Sequence, residues 1–324
     1  MPAEPMVSPP RRRRWPRVLV RSLGTMFVLA LLVVVGLLIV PFGQRVDRSW
    51  RPTVVSPRYT SEHPLVCFDE GHYNAHKAGG RYAPLARLLE ADGYATTEIA
   101  RFDPASLAPC KVLVVANAAG GDRFRIGPIN LPLRRGGRRE DSAFGADEIA
   151  LVRRWVEKGG ALLLVADHMP FGEANRPLAS AFGVVMHGGI ADMPRRSIAN
   201  AGMGRALFSR SNGLLRPHPI TAGLSRIMTF TGQSLTGAGQ PLLRLPDDAV
   251  EYMPPGPKLK PVAAGGHSQA VALEAGKGRV VVLGEAGMIS AQIDARGEKM
   301  GMNVAGNDNQ AFALAILHWL SRAS

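Results

Sequence analysis

The chain has 324 residues, 46% of them apolar, and carries a formal charge of +13 with 36 Gly and 25 Pro. That length holds one large domain or two small ones, and the apolar fraction is that of a globular protein. No internal repeat runs through it, which excludes a solenoid or a collagen-like array.

The charge is unevenly placed. Arg11 to Arg14, Arg17 and Arg21 precede the run 22–43, which contains no charged residue. Twenty-two helical residues span about 33 Å, enough for the hydrocarbon core of a bilayer. The stretch Met26 to Val40 is too long and too apolar for the core of a cleaved signal peptide, and no small-residue cleavage site follows it. The reading is a basic cytoplasmic tail (1–21), an uncleaved membrane span (22–43), a linker (44–63) and an α/β domain (64–324). Six arginines before the span, against Arg45, Arg48, Arg51 and Arg58 after it, place the N-terminus in the cytoplasm and the domain outside, in the periplasm of a bacterial inner membrane. The same arginines taken as a nucleic-acid patch or a twin-arginine signal fit less well, because the run abuts a span. The bilayer is thus an expected partner and nucleic acid is not.

From Pro64 the pattern alternates strand and helix. Leu65–Asp69 is an apolar run ending on an acid. Residues 81–91 form a helix with Leu85, Leu88 and Leu89 on one face and Gly93 as its stop. Short strands follow over 95–100 and 111–117. The Gly/Arg-rich loop 120–145 carries Arg123, Arg125, Arg134, Arg135, Arg138 and Arg139, and is either a basic lid or a solvated connection. A helix over 146–158 leads into the strand 161–167. The middle, 184–260, is less legible, with short strands around Thr229 and Leu242. Residues 270–284 form a hairpin turning on Gly276-Lys-Gly278, and Asn307-Asp308 caps a closing helix that buries Phe312, Ile316, Leu317 and Leu320. Strands alternating with helices imply a mostly parallel sheet, helices on both faces, with the hairpin as an antiparallel extension.

Ligands bind such sheets at the carboxyl ends of the strands. There the sequence places Asp69, Glu70, His72, Asn74 and His76 after the first strand, Asn117 after the third, Asp167 and His168 after the fourth, and Glu285 after the hairpin. Asn307 and Asn309 belong to an amide-rich run before the last helix. Asp69, His72, Asp167 and His168 are the candidate acid–base groups, and with His76 the candidate ligands of a divalent metal. Glu70, Asn74, Asn117, Glu285, Asn307 and Asn309 are candidate contacts to a small polar ligand. Each of them can equally cap a turn or a helix. No Gly-x-Ser-x-Gly or Gly-x-Cys-x-Gly stands at these strand ends, which argues against acyl-enzyme chemistry. No phosphate loop follows the first strand, so no nucleotide cofactor is expected. Cys67 and Cys110 either pair or stay as buried thiols.

The runs Phe68-Asp-Glu-Gly-His-Tyr-Asn74, Gly159-Gly-Ala-Leu-Leu-Leu-Val-Ala-Asp-His-Met-Pro-Phe171, Gly276-Lys-Gly-Arg-Val-Val-Val282 and Gly306-Asn-Asp-Asn-Gln310 resemble a bacterial family of unknown function. That family is similar to the domain shared by gliding-motility and intraflagellar-transport proteins. The resemblance covers most of 64–324, is weakest at 185–260, and implies a flavodoxin-like, class I glutamine amidotransferase-like sheet. The amidotransferase cysteine has no counterpart, since Asp167-His168 stands in its place, and the resemblance brings no activity. Two functions stay open: a hydrolase of a polar envelope substrate, or a non-catalytic module that binds a ligand or scaffolds a membrane complex.

Overall fold

The computed structural model describes residues 25–26, 44–120, 123–126, 129–132, 142–193, 205–253 and 260–323. The expected membrane span at 22–43 lies outside them, apart from Thr25 and Met26. Among the described residues no helix is long and apolar enough to cross a membrane.

One compact unit runs from Gln44 to Ser324. Its centre is a nine-stranded sheet. In chain order the strands are β1 (Leu65–Asp69), β2 (Ala95–Ile99), β3 (Val112–Ala116), β4 (Ala161–Val165), β5 (Val184–Met186), β6 (Leu235–Gly237), β7 (Gln240–Arg244), β8 (Ser268–Ala275) and β9 (Gly278–Leu283). They lie in the order β2-β1-β3-β4-β9-β8-β6-β5, with β7 also paired to β8. The half from β2 to β9 is parallel throughout. Beyond β9 every pairing is antiparallel, beginning with the β8–β9 hairpin.

Strands β3 and β4 are buried along their whole length, which is why they are unbroken apolar runs. Their side chains alternate between two cores. Val66, Val114, Leu163 and Val281 pack on one face under α1 (Ala83–Ala91) and α5 (Asn309–Ser321). Cys67, Leu113, Leu162 and Val282 pack on the other, under α2 (Pro104–Leu107), α3 (Ala146–Glu157) and α4 (Phe171–Ser180). Cys67 and Cys110 are joined in a disulfide across 43 residues, which resolves the alternatives left by the sequence. A loop of that length gives about 4 kcal/mol on the chain-entropy account.

Three segments depart from the sequence reading. Residues 44–63 are not a free connection: Arg45–Val46 pairs with Ala291–Ile293, Asp47 is 3% exposed, and Trp50, Val54 and Tyr59 pack on the core. The first helix starts at Ala83 rather than at 81, because Pro84 sits in its first turn and residues 77–82 form a turn closed by Tyr82 N–H to Lys77 O. The region 184–253 holds further short strands, and the basic loop contains a hairpin, Arg123–Ile126 with Ile129–Pro132. Arg134, Arg135, Arg138 and Arg139 lie outside the described residues.

Candidate functional site

Register sets the site. Ala116 pairs with Val165 and Val165 with Leu283, so Asn117, Ala166 and Gly284 lie level just past the parallel run. Asp167 and Glu285 follow one residue later.

The first acid–histidine ending folds in on itself. Asp69, 2% exposed, accepts hydrogen bonds from Gly71 N (3.0 Å), His72 Nδ1 (2.9 Å) and Asn74 Nδ2 (2.7 Å). Asn74 passes the connection on, its Oδ1 accepting from Ala116 N at 3.0 Å. The His72 ring lies between Phe102 and Phe144, with centroids 4.5 and 4.8 Å away. Its Nε2 reaches Glu148 Oε1 at 3.1 Å, and the other oxygen of Glu148 accepts Gly145 N–H at 2.8 Å, closing the start of α3. Burial disfavours the imidazolium, but Asp69 and then Glu148 outweigh it, and the His72 pKa is raised. Glu70 points elsewhere, to Lys77 Nζ (2.6 Å) and Ala78 N (3.1 Å).

The second ending stays open. Asn117, held at φ +55°, clamps Asp167 by donating Nδ2 to its Oδ2 (2.6 Å) and accepting its backbone N–H (2.7 Å). Ala286 N donates to Asp167 Oδ1 at 2.7 Å. Buried Gln233 ties the segment to the antiparallel half, donating to Ala166 O (2.8 Å) and Asp167 O (3.1 Å) and accepting Gly188 N–H (2.7 Å). Asp167 and His168 both remain half-buried. Burial raises the Asp167 pKa, against the opposing pull of Asn117, Ala286 N–H, His168 and Arg81. His168 Nδ1 donates to Met169 O at 3.1 Å, and its Nε2 makes no hydrogen bond among the described residues.

Arg81, in the turn before α1, is half-buried and its guanidinium makes no hydrogen bond among the described residues. Burial lowers its pKa while attraction to Asp167 supports its charge. The two form no ion pair within 4.0 Å. The turn itself is fixed: Ser290 Oγ donates to Arg81 O, and Tyr82 Oη donates to Ala286 O at 3.1 Å.

The two endings share one polar edge. Ala75 N–H donates to Asn117 O at 3.0 Å, and His76 Nδ1 accepts from Asn117 Nδ2 at 3.1 Å. His76 is buried against Tyr82, and burial together with the Arg81 charge pushes its pKa down to about 3. It is a neutral spacer behind Asn117.

Several expected contacts are internal instead. Glu285, 2% exposed, accepts Gly287 N–H (2.6 Å) and Met288 N–H (2.7 Å), and burial followed by the nearby Asp167 charge pushes its pKa well up. Asn307 donates to Gly301 O at 3.0 Å, and buried Asn309 donates to Met228 O and Met288 O, both at 2.8 Å. Asp308 takes the N-cap position of α5 but spends its carboxylate on Ser225 N (2.7 Å) and Arg226 N (2.9 Å). The expected metal set does not assemble: among the described residues no three His, Cys, Asp or Glu side chains gather as ligands. Asp69 and His72 bind each other, and His76 faces an amide.

Arg81, Glu148 and Gln233 escaped the sequence reading. Arg81 had a signal in Pro84, which starts a helix better than it sits inside one and so leaves Arg81 in the turn. Glu148 is the third residue of α3, where an acid commonly caps. Gln233 lies in a segment whose pairing is entirely long-range. Tyr73, left-handed at φ +53° and 48% exposed, stands on the same β1–α1 loop.

Among solved structures the chain is similar to the mmIFT52 N-terminal domain, with 12% identity, a TM-score of 0.55, and coverage of 79% of this chain and 97% of that one. This likeness shows a shared fold. Weaker matches include Cytoplasmic Protein STM1381 from Salmonella typhimurium LT2 (14% identity, TM-score 0.43, 80% and 98% coverage). Another is a ThuA-like protein from Bacteroides uniformis ATCC 8492 (11% identity, TM-score 0.41, 83% and 93% coverage). No family model matches the sequence, and no curated protein matches it.

Proposed function

We propose that the domain recognises a small polar ligand at the carboxyl edge of its parallel sheet, without chemistry of its own, on the extracytoplasmic side of a membrane. The observation that carries this reading is how the polar groups are used. Asp69, Glu285, Asn307 and Asn309 are spent on internal hydrogen bonds, while Asp167, His168 and Arg81 keep unfilled capacity. A fixed edge with a few convergent polar groups is how sheets of this kind present ligand sites. The extracytoplasmic placement draws support from the Cys67–Cys110 disulfide, which persists in oxidising compartments. The anchor at 22–43 rests on the sequence alone.

A hydrolase is the second reading, and one observation favours it: burial raises the pKa of Asp167, the direction in which a carboxyl group that moves protons is shifted. One experiment tests the first reading against the second. The full-length protein is heated with a panel of sugars, sugar acids, amino acids and short peptides, and the mixtures are analysed for products. Recognition gives a ligand-dependent rise in Tm that Asp167→Asn loses, since a ligand stabilises only the state it binds. A product formed by the wild type and absent in Asp167→Asn would replace recognition by hydrolysis.

A further inference from the structure

We propose that Arg81 and Asp167 form a two-part subsite for a ligand carrying a carboxylate with a hydroxyl or amino group nearby. This rests on the reading of the carboxyl edge as a ligand site and names what that site selects.

A guanidinium presents five N–H donors in a planar fork and has no acceptor function. Arg81 is half-buried and spends none of those donors among the described residues. Leaving charged donors partly desolvated is costly, and the partner that matches the fork is a planar oxyanion bound by two parallel hydrogen bonds. The turn that carries Arg81 and the side chain of Asp167 meet at Ala286, whose carbonyl accepts from Tyr82 Oη and whose N–H donates to Asp167 Oδ1, and no ion pair within 4.0 Å closes Arg81 on Asp167.

Asp167 completes the pattern from the other side. Its Oδ2 accepts from Asn117 and its Oδ1 from Ala286 N, one bond each. A carboxylate has about four lone-pair sites, so one on each oxygen remains for a ligand donor. The polarity is therefore set: the oxyanion lies toward Arg81 and a hydroxyl or ammonium toward Asp167.

The backbone of Arg81 and the side chain of Asp167 are held in place before a ligand arrives. Ser290 and Tyr82 fix the Arg81 turn, and Asn117 clamps Asp167 at its side chain and its backbone. Such preorganisation reduces the entropy lost on binding. The Asp167 charge also discriminates. It repels a compact dianion such as phosphate, and a neutral sugar gives the fork nothing planar to grip.

Two sources supply this chemistry, a sugar acid and an amino acid, and calorimetry of the full-length protein separates them with D-glucuronate, L-alanine and D-alanine. Glucose and inorganic phosphate are the contrasts. At least one carboxylate probe is expected to bind about 10-fold or more tighter than both contrasts. Arg81→Ala should weaken that probe by about 10- to 100-fold and leave glucose unchanged, the range expected for hydrogen bonds to a charged partner. Arg81→Lys should recover only part of the loss, because an ammonium restores charge without the fork. Arg81→Met, which keeps the apolar stem, serves if Arg81→Ala lowers Tm. Equal affinity for glucose and glucuronate in the wild type and the Arg81 variants would overturn the subsite while leaving the ligand edge intact. No heat with any probe, together with an unmoved Tm, would overturn both.

Discussion

The two strand endings Asp69–His72 and Asp167–His168 look alike in sequence and meet opposite fates. His72 is enclosed by two phenylalanines and bonded at both nitrogens to carboxylates, so its first ending is a closed ionic knot. Asp167 accepts one bond on each oxygen, from the Asn117 amide and from Ala286 N–H, and the guanidinium of Arg81, which attracts it, makes no hydrogen bond among the described residues. What separates them is the element packed above. Phe102, Phe144 and α3 close over the first ending, whereas the turn that carries Arg81 leaves the second half-open. An acid beside a histidine at a strand end thus states a polar edge, and its neighbours decide between structure and recognition.

Stability measurements sharpen this contrast first. Asp69→Ala leaves the buried His72 ring and the Asn74 amide without their acceptor, and should cost about 3–5 kcal/mol in denaturant unfolding. A loss below about 1 kcal/mol would mean that the knot is not structural.

Acid titration comes next. His76 is pushed from 6.5 to about 3 in the folded state, so its contribution is present above pH 6.5 and is lost as pH falls. At pH 5 the loss is about 2 kcal/mol, since the unfolded chain takes up the proton that the folded one refuses. His76→Gln should flatten the slope of stability between pH 6.5 and pH 4.5.

His72 has the reverse sign. Its folded pKa is raised, so its stabilisation is full below the unfolded value of 6.5 and fades as pH rises through the folded pKa. His72→Gln should therefore destabilise more at pH 5.5 than at pH 9, and an equal loss at both would deny the imidazolium a role (the pH points are about one unit below and over two above the reference).

The smallest stability effect belongs to the open ending. Asp167→Asn removes a partly desolvated charge and sets an amide against Asn117 and Ala286 N, two effects of opposite sign. Its net change in unfolding free energy should stay within about 1 kcal/mol, well under that of Asp69→Ala.

Much of this was legible in the sequence because burial on both faces turns strands β1, β3 and β4 into apolar runs that stop where water and ligands begin. The edge residues Asp69, Asn117, Asp167 and Glu285 followed from those stops. Their fates did not, because the deciding bonds reach far along the chain: His72 to Glu148 spans 76 residues and Asn117 to Asp167 spans 50. The strap 44–63 resembled a linker because its anchors Trp50, Val54 and Tyr59 are scattered singly and show no period. Strands β5 and β6 are three residues each, too short for alternation to register, and they pair with each other across about fifty residues of sequence. Arg81 stands in the turn before α1 and not in its first helical turn, a placement set by the Tyr82 N–H to Lys77 O bond.

The most direct test of this division sets two variants side by side: Asp167→Asn and Asp69→Asn, each titrated in calorimetry with whichever carboxylate probe the wild type binds, under conditions where both are folded. The account predicts that Asp167→Asn loses about 10-fold or more in affinity while Asp69→Asn keeps it and shows a lower Tm. Wild-type affinity in Asp167→Asn, with binding lost in folded Asp69→Asn, would place the ligand at the first ending and contradict it.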